Sequence, residues 1–408
     1  MRRVVVTGMS GLCALGSDWP AIEAGLHAGR NAVRTMPAWD AYRNLNTRLA
    51  APIEGFAPPE HWSRKQLRSM GRVSQLAVRA GELALTDAGL LGDPVLRSGR
   101  VGVACGSSIG STPDISDFAQ MLLSGDAPGL NANSYVRIMP HTTGANAGIF
   151  FGLRGRIIPT STACTSGSQG VGFAYEAIKH GYQDVMLGGG AEELCPSAAM
   201  AFDMLYATSR RNDDPGSTPR PYDRDRDGLV IGEGGCMLVL EELGHAQARG
   251  ARIYAEVVGF ATNSDGAHVT RPETETMRIV MELALQSAGL EPAAIGYVNG
   301  HGTATEQGDI AETRATSTLF GSRMPLSSQK SYLGHTLGAC GALESMFSIE
   351  MMRSGWFAPT INLENVDPRC GELDYITGDG RRLEVEHVMN NNFAFGGVNT
   401  ALVFRRWP

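Results

Sequence analysis

Two stretches share one layout: CTSGSQGVGFAYEAIKHG at Cys164–Gly181 and GACGALESMFSIEMMRSG at Gly338–Gly355. Each opens on small residues, runs into a helical pattern and stops at a glycine 17 positions on. Glycine is the usual residue where a helix ends in left-handed backbone. Two copies of one α/β unit explain the echo, and so does chance. Outward from these stretches, short apolar runs alternate with helical patterns. Strands are expected at Arg2–Thr7, Arg100–Cys105, Asp184–Glu192, Ile231–Glu241, Ile253–Gly259, Ile295–Asn299 and Val398–Arg405. Helices are expected at Arg72–Gly89, Cys164–His180, Glu242–Arg249, Thr274–Gly289 and Gly338–Gly355, with Thr274 as an N-cap. Such alternation predicts an α/β fold whose sheets are buried by helices. Gly250 follows a helix and opens a new strand run, which suggests two units, 1–250 and 251–408.

The 408 residues are 43% hydrophobic and 19% charged, ordinary for a globular chain with a sizeable core. Lys and Arg number 35 against 42 Asp and Glu, a net charge of −7 that argues against a broad nucleic-acid surface. The opening MRRVVVTGMSGLCALG reads as a first strand and turn, not a signal peptide. No apolar run reaches the ~18 residues of a membrane span. The seven cysteines are scattered without a CxxC, which fits a reducing cytoplasm and no disulfide or zinc framework.

Cys164 has two local readings. Free cysteine is among the most buried residue types, so it fits as a core filler. It also opens a helix, where amides and the macrodipole favour a thiolate, and its small neighbours leave room for a substrate. A nucleophile needs partners, and histidines are the usual ones. His301 in NGHGTATEQGD (299–309) and His335 in KSYLGHTLGACGALE (330–344) each follow a glycine in a Gly/Thr-rich turn. Turns at strand ends are where α/β proteins keep active sites, although both rings could equally be satisfied by backbone carbonyls. His27, His61, His180, His245 and His387 read as solvated. Lys330 and Glu344 lie near the second histidine, as surface residues or as a buried network tuning it. In MNNNFAFGGVNT (389–400), Gly396-Gly397 suggests a tight turn, either a strand connection or an oxyanion donor beside an aromatic gate.

Three near-motifs compete. Gly106-Ser107-Ser108-Ile109-Gly110 matches the GxSxG elbow of an α/β-hydrolase, with Ser108 as nucleophile. Asp223–Gly228, DRDRDG, begins like a calcium loop, but position 12 is Gly234 and Glu233 falls one place early. The bidentate ligand is missing, which excludes calcium. Gly188–Gly190 follows a strand without any nucleotide fingerprint around it. In HWSRKQLRSMGR (61–72), Arg64, Lys65, Arg68 and Arg72 form a basic helical stripe, a solvated face or a dock for an acidic partner.

Taken together, RRVVVTGMSGLCALG, STACTSGSQG, YDRDRDGLVIGEGG, NGHGTATEQGD, QKSYLGHTLGACGALE and NNFAFGGVNT resemble the β-ketoacyl-acyl carrier protein synthases along essentially the whole chain. The resemblance implies a thiolase-like fold: two similar α/β halves in five α-β-α-β-α layers. It places the nucleophile on Cys164, the two histidines on His301 and His335, the active-site lysine on Lys330 and the buried glutamate on Glu344. Thr303 and Thr305 match the threonines that hold the pantetheine arm, and Asp309 and Glu312 match acidic positions after the first histidine. Phe395 resembles the gating phenylalanine, and Ile109 the isoleucine that floors the acyl pocket. Arg64, Lys65 and Arg68 resemble a patch that receives the acidic carrier protein. The activity implied is decarboxylative condensation of an acyl group with malonyl-carrier, without a redox cofactor. A structural Na+ or K+ near Asn299, Glu344 and Asn391 is part of the same expectation. The expected assembly is a homodimer, or a heterodimer with a chain-length-factor-like subunit. The sequence departs from the family at Ala394 and at Asn390 and Asn392, where a serine is common. These departures, and the segment 36–56, suggest a specialised pathway such as aryl polyene synthesis. The rival readings are the Ser108 hydrolase and a non-catalytic chain-length-factor-like partner; the latter typically lacks the cysteine.

Overall fold

The computed structural model describes residues 1–127 and 129–408. The first half supplies β1 (Val4–Cys13), β2 (Val101–Gly106), β3 (Ile157–Pro159), β4 (Val185–Glu192) and β5 (Gly234–Glu242). The second supplies β6 (Ala255–Ser264), β7 (Ile295–Asn299), β8 (Pro325–Ser327), β9 (His387–Ala394) and β10 (Val398–Arg406). Their spatial orders are β3-β2-β4-β5-β1 and β8-β7-β9-β10-β6, the same path walked twice, with the two-residue strand Asp374–Tyr375 added outside β8. The halves join where Val4–Val6 of β1 pair antiparallel with Ala255–Val257 of β6.

Helices are α1 (Arg72–Asp87), α2 (Thr142–Phe151), α3 (Ser166–Lys179), α4 (Pro196–Asp203), α5 (Thr274–Ala288), α6 (Glu306–Phe320) and α7 (Cys340–Ser354). Helices α1 and α2 cover the outer face of the first sheet, and α5 with α6 that of the second. Helices α3 and α7 pack against each other between the sheets, giving the five layers expected. The strands are fully buried along β1, β4 and most of β10, as continuous apolar runs demand when both faces are covered.

The opening echo is a true structural repeat. Both copies enter through a 3₁₀ turn, Ala163–Thr165 and Leu337–Ala339, so each α-helix starts two residues later than periodicity places it. The glycines of these stretches serve helix contact as well as access. A Cβ on Gly167 would stand 2.9 Å from both Ala342 N and Gly338 O, and one on Gly341 would stand 2.6 Å from Ser168 N. Gly188–Gly190 has a packing cause too, since a Cβ on Gly190 would meet Gly338 O at 2.2 Å.

Several expectations need correction. The run Ile231–Glu241 is two strands, Ile231–Gly232 and β5. Strand β9 is not among the expected strands, and its Asn390, Asn391 and Asn392 are fully buried; the tight turn expected at Gly396-Gly397 follows it. His387 is buried in β9, not solvated. The N-cap of α5 is Glu273 rather than Thr274. The basic stripe is not one helix: Arg64–Leu67 is a single turn capped by Ser63, while Arg72 opens α1 and pairs with buried Glu233.

Candidate active site

Cys164 lies in the turn before α3, following Ala163, which is held at φ 52°. His301 follows β7, His335 follows the short helix Lys330–Leu333, and Phe395 follows β9. Nucleophile and histidines thus come from opposite halves and meet at the seam. Cys164 Sγ is 3.0 Å from His335 Nε2, and the two imidazole rings stand edge to face at 5.1 Å between centroids. All three residues line a cavity of about 520 Å³, together with Phe202, Thr303, Thr305 and Phe395.

The ring tautomers follow from what faces each Nδ1. The backbone N–H of Leu337 donates to His335 Nδ1 at 3.3 Å, and Lys330 Nζ approaches His301 Nδ1 at 3.2 Å. A neutral imidazole that accepts at Nδ1 carries its hydrogen at Nε2. Burial drives both histidines well below their usual range, with Lys330 adding to the effect, so both are neutral at pH 7. The pair therefore presents two N–H donors. The same tautomers oppose metal binding. The donor atoms of Cys164, His301 and His335 all lie within 4.8 Å of one another, but an imidazole ligates through a bare nitrogen, and here Nε2 carries hydrogen while Nδ1 already accepts a hydrogen bond.

Lys330 is an ammonium buried to 1% exposure, paired with buried Glu344. Burial pulls Lys330 down, but the facing carboxylate more than offsets it, so the lysine stays charged. Glu312, one of the acidic positions after the first histidine, is bound elsewhere. Its carboxylate instead accepts the backbone N–H of His301 and, at 2.8 Å, of Gly302. Asp309 accepts from Tyr222, Thr303 and Ala304 N–H at 2.7, 3.1 and 3.2 Å. Both carboxylates therefore shape the histidine loop, and both also line the cavity. Thr303 and Thr305 line the cavity and hydrogen-bond each other at 2.9 Å.

The DRDRDG segment, not used by any sequence-based site, holds that loop from below. Arg226 donates to the carbonyls of Thr305 and Glu306 at 3.3 and 2.9 Å and pairs with Asp367 at 2.7 Å. Tyr222 Oη lies 2.1 Å from where a Cβ on Gly300 would stand, so glycine is required there. Only charge in a glycine-ended loop hinted at this role.

The thiol departs from expectation. Burial pushes Cys164 up to about 12, against the pull of Lys330 and the N–H groups of Phe395 and Cys164. The helix start does not produce a resting thiolate, because removal from water outweighs it. Those two N–H groups face the sulfur, where an oxyanion would form.

Other expected residues lie apart. Ile109 is 43% exposed and does not line the cavity. Arg64, Lys65 and Arg68 are exposed outside it, with Arg68 O held by Arg137. Ser108 N–H donates to buried Glu192 at 2.8 Å, and among the described residues no histidine hydrogen-bonds Ser108. That leaves a GxSxG hydrolase without its histidine. Asn391 donates to Met281 in α5, whereas Asn390 and Asn392 donate toward Gly341 and Glu344 in α7. Alternate residues of a strand point to opposite faces, so Asn391 and Glu344 cannot share an ion through their side chains.

A buried cysteine, two neutral imidazole donors and paired backbone N–H groups define an acyl-transferring, carbanion-stabilising site. The chain belongs to the beta-ketoacyl synthase family: the N-terminal domain model matches residues 1–246 and the C-terminal domain model residues 254–364. Among curated relatives it is 38% identical to 3-oxoacyl-[acyl-carrier-protein] synthase 2 of Vibrio cholerae over 99% of both chains. The corresponding protein of Coxiella burnetii is 37% identical, again over 99% of both. A crystal structure of a beta-ketoacyl synthase from Burkholderia phymatum is 60% identical over both full chains, with a TM-score of 0.99. The ishigamide ketosynthase/chain length factor superposes over both full chains with a TM-score of 0.91 at 32% identity.

Proposed function

We propose that this chain is a 3-oxoacyl-acyl carrier protein synthase with Cys164 as nucleophile. The observation that carries the reading is the contact of Cys164 Sγ with His335 Nε2 at 3.0 Å, beside a His301 held by Lys330. Cys164 attacks an acyl-carrier thioester; the acyl group passes to Sγ and the thiol proton leaves on the carrier's sulfur. The N–H groups of Cys164 and Phe395 hold the oxyanion. Malonyl-carrier then enters, and the Nε2–H groups of His301 and His335 donate to its thioester carbonyl. They stabilise the enolate formed as carbon dioxide departs. The enolate carbon attacks acyl-Cys164, releasing the sulfur, which takes up a proton, and a β-ketoacyl-carrier two carbons longer. Neutral rings suit this task, since a donor is needed but no proton need be given up.

Arg64, Lys65 and Arg68 form the carrier dock, supported by their exposure and like charge. A second subunit, either another copy or a chain-length-factor-like chain, covers β3. In its support, β3 ends the sheet unpaired, with Ile157 exposed and neighbouring Ile149 75% exposed. A monovalent cation, where present, sits by Asn299 and Asn390 rather than the Asn391 side chain. Supporting this, Asn299 and Asn390 are paired across β7 and β9 with both amide oxygens buried and unpartnered, whereas Asn391 Oδ1, equally unpartnered, lies on the other strand face; oxygen donors suit a hard cation. The departures at Asn390, Asn392 and Ala394 support a specialised polyketide pathway.

Intact mass spectrometry after incubation with a panel of acyl-carrier thioesters tests the reading. It is expected to show one acyl adduct per chain, absent in Cys164→Ala. An adduct that persists in that variant, or appears on Ser108, overturns the nucleophile. The panel also ranks acyl groups and so separates fatty-acid from polyketide use.

A further inference from the structure

Asn392 occupies a position in the catalytic core that the reaction scheme leaves without a task. It is fully buried in β9. Its Nδ2 donates to Glu344 Oε2 at 2.7 Å and lies 3.4 Å from His301 Nδ1 and 3.7 Å from Cys340 Sγ. Its Oδ1 fills the space left by Gly341, 2.7 Å from where a Cβ would stand. The Cys340 thiol in turn donates to the carbonyl of Cys164 at 3.3 Å.

We propose that Asn392 is a positioning residue that fixes the carboxylate of Glu344 so that Lys330 can hold the His301 tautomer. Glu344 has two oxygens, one on Lys330 and the other on Asn392. An ammonium has three hydrogens and binds wherever acceptors lie. Without Asn392 the carboxylate is free to turn and take two of them, drawing Nζ away from His301 Nδ1. The ring then loses its reason to carry hydrogen at Nε2, and the enolate loses one donor. Acylation of Cys164 relies on the N–H groups of Cys164 and Phe395 instead. Decarboxylation should therefore suffer more than acylation.

The inference rests on the condensing-enzyme reading, and the test separates the two. Malonyl-carrier decarboxylation is measured in a Cys164→Gln background, and Cys164 acylation in an otherwise unaltered one. Asn392→Ala is expected to lower the decarboxylation kcat about tenfold, less than the ~100-fold or more for deleting an oxyanion donor outright. Acylation should fall at least fivefold less. In a Lys330→Met background Asn392→Ala should add nothing further, since both act through one ring. Asn392→Val, which has no donor for Glu344, gives the same readouts if the alanine variant does not fold. An equal fall in both half-reactions, an unchanged decarboxylation rate, or an additive effect with Lys330→Met overturns the proposal. Absence of any decarboxylation in Cys164→Gln itself would count against the enzyme reading instead.

Discussion

Replacing Lys330 by methionine separates two tasks that the structure assigns to one side chain. Lys330 neutralises Glu344 in a site where both are almost fully buried, and it holds His301 Nδ1. Removing one partner of a buried ion pair strands the other and costs about 3–5 kcal/mol. Unfolding entropy of about 2.1 cal/mol/K per residue makes each kcal/mol worth roughly 1.2 °C for a chain of 408 residues. Lys330→Met should thus lower the melting midpoint by about 4–6 °C. Adding Glu344→Gln removes the stranded charge and should restore the midpoint to within about 1 °C, since neutral replacements of buried pairs are often harmless. Activity should not return with stability, because His301 still lacks its partner. Calorimetry on the single and double variants, with malonyl decarboxylation as the second readout, checks both halves. A double variant as unstable as the single one, or one that regains full decarboxylation, refutes the reasoning.

In Cys164→Gln, condensation should vanish while malonyl decarboxylation persists, measured by carbon dioxide release; loss of both in a folded protein contradicts separate roles. Because burial depresses both histidines well below 6.5, they stay neutral above it, and that decarboxylation rate should be flat from pH 6 to 8. A bell-shaped profile centred there counts against neutral donors. The thiol at about 12 predicts that Cys164 alkylation by iodoacetamide rises about tenfold per pH unit between 7 and 10, whereas a plateau below pH 8 reveals a resting thiolate. Lys65→Glu with Arg68→Glu should raise KM for carrier substrates and leave kcat nearly unchanged, most clearly at low salt; an unchanged KM removes the dock.

The periodic elements and the duplicated layout were legible because their signals are local: apolar runs for β1 and β4, and a small-residue entry with a glycine stop for α3 and α7. His301 and His335 stood out through their glycine turns, and Cys164 through its helix start. What escaped were residues whose meaning depends on the partner across the seam. Asn390–Asn392 carry no apolar signal, and their strand is evident only once α5 and α7 close over them and accept from their amide nitrogens. Arg226 looks like one charge among several until its guanidinium is seen beneath Thr305 and Glu306. The protonation of the thiol was not legible for the same reason. A helix start is visible in sequence, but the depth of burial that overrides it is set by both halves together.

The repeat makes the chemistry a property of alignment between halves. Helices α3 and α7 touch through glycines, so the Sγ–Nε2 separation is set where the two backbones meet, without long side chains to absorb slippage. A small rotation of one half against the other would leave both sheets and both cores whole while pulling nucleophile and donors out of register. Loss of condensation on heating or in dilute denaturant should therefore come before any loss of secondary structure. Turnover in this enzyme doubles as a gauge of how its two halves are seated.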